Sequence, residues 1–207
     1  MALFPAFLKL TGRFCLVVGA GRVAEDKIES LLFAGGDVRV VAPKATSRVR
    51  ALARAKKISL DARPFRSRDL NGAFLVVAAT SSPALHAKIF AEARHRGVLC
   101  NVVDDPEHCD FYYGAVVRRG ALQIAISTEG HSPALAQRLK KEIAREFGPS
   151  YDSWLAEIGS RRKQLLAQRK LPPARRNALL HRLASEYSFK NFQNRKKSKL
   201  RPARKSH

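Results

Sequence analysis

The sequence has no long hydrophobic segment and few cysteines. No stretch approaches the roughly 20 apolar residues that a membrane-spanning helix needs. Residues 1–10 contain one basic residue and no small-residue cleavage site, so we expect no signal peptide. The three cysteines, an odd number, do not suggest a disulfide framework. We expect small buried thiols and a cytoplasmic protein.

Acidic residues are scarce, and the resulting positive charge is uneven. The chain has 17 Asp and Glu against 39 Lys and Arg, a net charge of +22. Residues 151–207 hold 16 of the basic residues and only three of the acidic ones. Such an excess suits a polyanionic partner, which could be nucleic acid, anionic lipid or a small molecule with many carboxylates. The alternative is a basic tail that only confers solubility.

A glycine turn between a strand and a helix is the clearest local signal. Residues 13–18 predict a buried strand, and helical spacing begins at Val23. Gly19 would permit the tight turn, Gly21 would let the backbone approach a pyrophosphate, and Ala24 replaces the third glycine of the dinucleotide fingerprint. Unpaired N–H groups at the helix start suit phosphate. We therefore predict phosphate contacts from Gly19, Gly21, Arg22 and Val23.

Strands alternate with helices over the first 110 residues. This alternation predicts an α/β fold with a Rossmann-like parallel sheet. Ligands bind beyond the carboxyl ends of the strands in such sheets, so the glycine turn, Thr80 and Asp104 should share one rim. Further strands are predicted at 37–42, 58–60, 74–79 and 98–103, and helices at 46–57 and 83–96.

The pattern changes after Asp110. Two strand-like stretches, 111–117 and 121–127, predict an antiparallel hairpin, and three amphipathic helices should follow. From Lys190 onwards basic residues dominate, which predicts disorder. The chain thus divides into residues 1–110, 111–148, 149–189 and 190–207, with helices predicted at 132–147, 151–169 and 174–187.

The second predicted strand ends without a carboxylate. In dinucleotide sites an acidic residue there commonly holds the adenosine ribose, but this strand continues Ala42-Pro43-Lys44. Pro43 and Lys44 should lie near the adenosine. Lys44 and Arg48 could instead meet a 2′-phosphate, which leaves NADP open beside NAD, and Lys44 could equally be a solvated surface charge.

Several motifs occur in order at separations that match one family. The motifs are Val17-Val18-Gly19-Ala20-Gly21-Arg22-Val23-Ala24 with Lys27, Val40-Val41-Ala42-Pro43, Val77-Ala78-Ala79-Thr80, Asn101-Val102-Val103-Asp104, Ala115-Val116-Val117-Arg118-Arg119-Gly120, Ile124-Ala125-Ile126-Ser127-Thr128 and Ser132-Pro133-Ala134-Leu135-Ala136. With them the chain resembles precorrin-2 dehydrogenase, the stand-alone counterpart of the N-terminal module of siroheme synthase, over about residues 1–150.

The resemblance implies NAD-dependent oxidation of precorrin-2 to sirohydrochlorin, in siroheme biosynthesis. It also implies a homodimer in which residues 111–148 form the dimerisation region. Some relatives insert Fe²⁺ as well, so a bifunctional dehydrogenase and ferrochelatase is the first alternative. No methyltransferase domain follows, so we do not expect this chain to make precorrin-2. A dinucleotide-sensing nucleic-acid-binding protein acting through the basic tail ranks last, and no membrane association is expected.

Asp104 is the predicted acid–base residue, because it matches the aspartate of the family's Asn-Val-Val-Asp motif. A carboxylate there could take the proton whose loss accompanies hydride removal, an effect of about 10²–10⁴-fold in rate. The alternative is that Asp104 only caps the turn into Pro106, with Asp105 held in reserve.

The loop from Thr128 to Ser132 should form part of the substrate pocket, with Thr128, His131 and Ser132 as its contacts. It departs from the family's glycine-rich form by carrying Glu129, and His131 could simply be exposed. Thr80 could likewise only cap a strand. Arg118 and Arg119 would help to bind the substrate's carboxylates if they reach the cleft, and otherwise form a hairpin turn. No metal site is predicted: three adjacent residues rarely converge on one ion, so His108-Cys109-Asp110 is treated as chance.

Overall fold

The structure is a computed structural model that describes residues 3–168 and 171–200, with side chains up to residue 195. The chain divides into two compact units, with the boundary after Tyr113. This boundary lies three residues beyond the one predicted from the sequence.

The first unit is built on a five-stranded parallel sheet with strand order β3-β2-β1-β4-β5. Val18 of β1 pairs with Val41 of β2 and with Ala78 of β4, and Ala78 pairs with Val102 of β5. The carboxyl ends of these four strands are therefore level, and the residues after them meet at one edge. The strands are β1 (Phe14–Val18), β2 (Asp37–Val41), β3 (Ser59–Asp61), β4 (Leu75–Ala78) and β5 (Leu99–Val102).

Three helices flank this sheet: α1 (Arg22–Phe33), α2 (Ser47–Arg54) and α3 (Pro83–His95). Helix α1 buries Ala24, Ile28 and Leu31, which recur at helical spacing on one face. Two short 3₁₀ helices, Ser67–Leu70 and Pro106–His108, lie in the connections. The element order confirms the predicted α/β Rossmann-like fold.

Strands β1, β4 and β5 are buried on both faces, as expected for parallel strands covered by helices. Along β1, Cys15 and Val17 belong to one hydrophobic cluster with α1 and α2, whereas Leu16 and Val18 belong to another with α3. All four residues of β4 are buried. This continuous apolar pattern is why the sequence predicted these strands to within one or two residues.

An ion pair between the buried carboxylate of Asp69 and the partly exposed guanidinium of Arg63 closes the connection between β3 and β4. The guanidinium of Arg63 donates to both carboxylate oxygens of Asp69, at 2.7 and 2.8 Å, and to Asp61. Asp69 also accepts from the N–H of Arg66 at 2.8 Å. Burial alone would raise the pKa of Asp69, but these donors outweigh it, and the pKa of Asp69 lies below its usual range.

Within its described residues, the second unit contains the predicted hairpin and four helices. Strands β6 (Ala115–Arg119) and β7 (Leu122–Ile126) pair antiparallel. Gly120 follows β6 in a left-handed conformation, with φ +57°. The helices are α4 (Pro133–Glu146), α5 (Ser150–Ala167), α6 (Pro173–Leu183) and α7 (Glu186–Leu200).

Helix α7 differs from the disorder predicted from Lys190, because it continues to Leu200. Its aromatic side chains explain the difference. The ring of Phe189 lies 4.4 Å from that of Tyr151 and 4.8 Å from that of Trp154, and Phe192 is buried. Residues 201–207 of the predicted tail lie outside the described residues. Within the described part of the chain, no helix combines the length and apolarity required to cross a membrane.

Candidate nucleotide site at the carboxyl edge of the sheet

A cleft of about 620 Å³ lies at the carboxyl edge of the parallel sheet. Its walls come from the residues that follow β1, β2, β4 and β5. The lining residues are Gly19, Ala20, Gly21, Arg22, Val23, Ala42, Pro43, Lys44, Ala79, Thr80, Ser81, Leu85, Val103 and Asp104. The structure thus brings together every predicted nucleotide contact and Asp104, all from the first unit.

The two glycines of the turn serve different purposes. Gly19 has φ +106°, and a Cβ built on it would lie 2.1 Å from the carbonyl oxygen of Ala79, so no other residue fits. Gly21 has an extended backbone, and a Cβ there would meet nothing within 4 Å. Gly21 is therefore not required by the fold, and its lack of a side chain keeps the cleft open beside the helix start.

The start of α1 meets the requirements of a phosphate group. Gly21 is the N-cap and no side chain caps the helix. The first N–H groups of an uncapped helix have no intrahelical partner and carry partial positive charge. Arg22 adds a cationic side chain at the same place, and Val23 is 51% exposed. A dinucleotide pyrophosphate fits this bare, positively polarised surface.

The end of β2 offers a cation and no carboxylate to the adenosine end of a nucleotide. Pro43 and Lys44 are both exposed and line the cleft. Arg48, the other predicted candidate for a 2′-phosphate, forms an ion pair with Glu29. Lys44 is therefore the better placed of the two cations.

The third rim loop, after β4, is held by a buried histidine. The Nε2 of His86 donates to the carbonyl oxygen of Thr80 at 2.9 Å, and His86 is only 8% exposed. The hydroxyl of Thr80 accepts from the N–H of Ser82 at 3.4 Å, while Ser82 itself caps α3. Sequence reasoning missed His86; the only available signal was its position one turn into a predicted helix, on the face that packs against the sheet.

Asp104 has an unusual backbone and an unengaged side chain. Its φ is +61°, one of three non-glycine residues with positive φ in the described part of the chain. Asp tolerates this region better than most residues. Among the described residues its carboxylate has neither a hydrogen bond nor an ion pair. The turn into Pro106 is held by Asp105, whose carboxylate contacts Nδ1 of His108 at 2.8 Å. Asp104 therefore makes no capping contact in this turn, and its acid–base role stays a prediction.

Lys27 was noted in the sequence only as part of a motif. It is half-buried on α1, and its Nζ lies 3.8 Å from the centroid of the Tyr113 ring. Burial lowers the pKa of Lys27, against the opposing influence of Asp104 and Asp26.

The residues His108, Cys109 and Asp110 have separate partners. His108 pairs with Asp105, and the thiol of Cys109 donates to the carbonyl oxygen of Val102 at 3.1 Å. Asp110 accepts from the N–H of Cys100 at 2.9 Å. The described residues contain no group of three or more His, Cys, Asp or Glu side chains arranged to hold a metal ion.

The loop predicted to bind substrate belongs to the second unit. The hydroxyl of Thr128 accepts from the N–H of Ser132 at 3.3 Å and donates to its carbonyl oxygen at 3.1 Å. The hydroxyl of Ser132 caps α4 by accepting from Leu135. His131 is exposed, and Glu129 has φ +50°. Substrate contact by Thr128, His131 and Ser132 stays a prediction.

Arg119 has a structural role that the sequence did not reveal. Its guanidinium donates to the carbonyl oxygens of Ala144 and Phe147, at 2.8 Å each. These carbonyls belong to the C-terminal end of α4, where a cation also offsets the helix dipole. Arg119 is thus more than part of a plain hairpin turn.

A second, larger cavity of about 720 Å³ lies among α5, α6 and α7. Its wall includes Arg161, Arg182 and Arg195 together with leucines and amides, but no predicted site residue. Arg161 and Arg195 both contact Glu157. The cavity lacks the bare backbone that makes the first cleft suitable for a nucleotide.

The fold and the cleft together define a dinucleotide-binding protein of the doubly wound parallel-sheet class. Residues 6–115 match the family model described as "Putative NAD(P)-binding". The chain belongs to this family, which confirms the prediction of a nicotinamide dinucleotide cofactor. Residues 119–146 match the model described as "Sirohaem biosynthesis protein central".

Similar proteins support the same relationship. The chain is 41% identical over 161 residues to a siroheme synthase of Neisseria meningitidis serogroup C, covering 78% of this chain and 33% of that protein. It is 36% identical over 169 residues to siroheme synthase 1 of Serratia proteamaculans, covering 82% and 35% respectively. The chain thus spans about a third of the length of these relatives.

A solved structure titled "SirC, precorrin-2 dehydrogenase" shares the fold. The TM-score is 0.75 at 24% identity, and the match covers 93% of this chain and 98% of that one. The resemblance predicted from the sequence motifs is confirmed by these matches.

Proposed function

We propose that the protein catalyses the NAD-dependent oxidation of precorrin-2 to sirohydrochlorin. One observation supports this most directly: a single cleft joins an uncapped helix start, suited to a pyrophosphate, to the unengaged carboxylate of Asp104. The names of the similar proteins supply the substrate, since siroheme synthases and a precorrin-2 dehydrogenase are among them.

The nucleotide would be held by backbone and by two cations. The N–H groups at the start of α1 and the side chain of Arg22 would bind the pyrophosphate, with Gly21 allowing close approach. Pro43 and Lys44 would contact the adenosine, and Thr80 would line the middle of the cleft. NAD⁺ bound there would supply the hydride acceptor.

Asp104 would take the proton that leaves with the hydride. Oxidation of precorrin-2 removes two hydrogens from the macrocycle, one as hydride to NAD⁺ and one as a proton. A carboxylate already unengaged needs to break no hydrogen bond before it accepts that proton. A positioned base contributes about 10²–10⁴-fold to such a rate.

The test is an absorbance assay for sirohydrochlorin with purified protein, precorrin-2 and NAD⁺, compared with NADP⁺. Asp104→Asn should lower kcat by at least about 100-fold. Asn also tolerates positive φ, so the backbone is not strained by the change. Asp105→Asn is the matched control and should keep most of the activity, because Asp105 contacts His108 instead of the cleft. Full activity of Asp104→Asn would remove Asp104 from the mechanism.

A homodimer is part of the proposal and is supported by the hairpin. A two-stranded ribbon is marginally stable by itself, and Leu122, Ile124 and Ile126 of β7 remain only half-buried in the single chain. A partner hairpin could cover them. Size-exclusion chromatography with light scattering should give twice the 23.0 kDa chain mass; a monomer at micromolar concentration would contradict this.

The bifunctional dehydrogenase and ferrochelatase is the alternative to this function, and a cytoplasmic location is proposed with either. Iron insertion is tested by adding Fe²⁺ to sirohydrochlorin with and without protein; no acceleration over the spontaneous reaction would remove that activity. A reducing compartment is supported by the three free thiols. Burial raises the pKa of Cys15 to about 11 and that of Cys100 to about 12, so both stay protonated and unreactive at neutral pH.

A further inference from the structure

The segment after the cleft loop runs back along β5, the edge strand of the parallel sheet. An edge strand has backbone N–H and C=O groups without a strand partner on its outer side. Asp110 meets those of Cys100: its N–H donates to the carbonyl oxygen at 2.7 Å, and its carboxylate accepts from the N–H at 2.9 Å. The side-chain amide of Asn101 donates to the carbonyl oxygen of Phe111 at 2.8 Å. Residues 103–108 therefore form a loop whose two ends are held together.

Asp104 occupies the third position of a tight turn at the start of this loop. The N–H of Asp105 donates to the carbonyl oxygen of Val102 at 3.3 Å and closes the turn. The φ of Asp104 is +61°, whereas that of Val103 is not positive. This combination is typical of a type II turn, which normally has glycine at the third position. The Cβ of an aspartate disfavours such a backbone, so the turn needs contacts from outside its own four residues.

The thiol of Cys109 supplies these contacts on both sides of Asp104. Its sulfur accepts from the N–H of Val102 at 3.3 Å. Its proton is shared between the carbonyl oxygens of Val102 and Asp105, which lie 3.1 and 3.2 Å from the sulfur. Burial raises the pKa of Cys109, so the thiol keeps the proton that it donates. Each bond to sulfur is weak, but the three converge on one atom and tie the first residue of the turn to the last.

We propose that Cys109 is a positioning residue for the reaction: by holding both ends of the turn, its thiol keeps the carboxylate of Asp104 at the cleft. The inference rests on the proposed function, because it assigns Asp104 the role of proton acceptor. Cys109 itself touches neither cofactor nor substrate in this account and acts only through the backbone of Val102 and Asp105. A displacement of about 1 Å in a reacting group can cost about 100-fold in rate, so loss of these contacts should lower kcat.

The first experiment needs no activity and follows amide hydrogen exchange by NMR. The N–H of Asp105 bonds to Val102 and not to sulfur, so its exchange reports opening of the turn itself. In Cys109→Ala it should exchange at least about 10-fold faster, and Cys109→Ser should restore protection, because a hydroxyl also donates and accepts. Cys15→Ala is the matched control. It removes a buried thiol that bonds to the carbonyl oxygen of Arg13, and it should leave exchange at Asp105 unchanged.

The second experiment links the turn to catalysis. In Cys109→Ala, kcat should fall at least about 10-fold. KM for NAD⁺ should change less than about twofold, because the start of α1 is untouched. Cys109→Ser should recover most of kcat. Cys15→Ala should keep the wild-type kcat, although it removes the more deeply buried thiol, and this separates positioning from stability.

Three results would overturn the inference. These are unchanged exchange at Asp105 in Cys109→Ala, an unchanged kcat in that variant, and an equal loss of kcat in Cys15→Ala. If the wild-type protein does not oxidise precorrin-2, the proposed function fails, while the exchange measurement still decides whether Cys109 holds the turn.

Discussion

Gly19 and Gly21 show how one residue type meets two requirements two positions apart. Gly19 is imposed by the backbone, through positive φ and the closeness of the Ala79 carbonyl. Gly21 has ordinary backbone angles and open space where a side chain would begin. Gly19 is therefore required by the fold, whereas Gly21 is needed to leave space for the ligand.

Alanine at each position should separate these roles. Gly19→Ala should cost about 3 kcal/mol or more, from strained φ and the clash with Ala79. Gly21→Ala should cost less than about 1 kcal/mol as a weaker N-cap, but its methyl group would occupy the approach of the pyrophosphate. We expect at least about 10-fold weaker NAD⁺ binding by calorimetry for Gly21→Ala, with near-normal urea unfolding. Wild-type affinity in this variant would mean that the phosphates do not lie against Gly21.

The sequence predicted side chains whose role follows from local position, and missed those defined by long-range contacts. Every nucleotide contact predicted from the strand ends lines the cleft, because parallel strands of equal register bring their ends together. By contrast, the contact of Arg119 with Phe147 spans 28 residues. The position of Lys27 against Tyr113 likewise depends on the course of the segment after β5, which has no periodic pattern.

Among the elements, α2 ends in a geometry that its sequence does not favour. Lys56 has φ +54° just after the C-cap. The N–H of Lys57 donates to the carbonyl oxygen of Leu52, and that of Lys56 to Ala53, both at 3.0 Å. This is the Schellman pattern, in which glycine normally follows the helix.

Lys56→Gly should therefore stabilise the protein by about 1 kcal/mol, since it removes the left-handed strain of a residue with a Cβ. The measurement is urea unfolding followed by circular dichroism. Lys57→Gly is the matched control: it removes the same charge at a position without positive φ, and it should bring no gain. Equal effects of the two variants would attribute the change to charge.

The connection from β3 to β4 depends on the carboxylate of Asp69. Its pKa is lowered in the folded state, so its stabilising contribution is complete above the unfolded value near 3.9 and is lost as pH falls through the folded value. Asp69→Asn should cost about 2 kcal/mol at pH 7. Urea unfolding at pH 7, 5, 4 and 3 should show the difference between wild type and variant constant down to about pH 5 and shrinking below pH 4. If the difference in unfolding free energy between the wild type and Asp69→Asn grew as the pH fell, the lowered pKa of Asp69 in the folded state would be contradicted.

Among the elements, the boundaries of the strands were predicted more closely than the structure of the C-terminal segment. Continuous apolar runs mark buried parallel strands in the sequence itself. The predicted disorder after Lys190 followed from basic composition, but this segment is part of α7, in which Phe189 packs on the ring of Tyr151 and Phe192 is buried. Two aromatic residues at helical spacing thus pack in spite of the surrounding positive charge. A count of residue types does not predict such packing.

For the whole molecule, a net charge of +22 on 207 residues opposes compaction. Like charges across the surface repel each other, and this repulsion acts over about 30 Å at 0.01 M salt but about 10 Å at 0.1 M. The exposed ion pairs, such as Arg138 with Glu142, gain little energy and are screened by the same salt. The change of stability with ionic strength should therefore depend mainly on the screening of this repulsion.

We expect NaCl added from about 0.01 to 0.2 M to raise Tm by roughly 2–4 °C, equivalent to about 1 kcal/mol for a chain of this length. The double variant Lys163→Gln/Arg175→Gln removes two exposed positive charges from α5 and α6. Because it carries less repulsion, it should start from a higher Tm at low salt and respond less to NaCl. Differential scanning calorimetry of the wild type and of the double variant at several NaCl concentrations gives the change of Tm with salt for each protein. A Tm that falls with added NaCl would mean that the ion pairs stabilise the molecule more than its excess charge destabilises it.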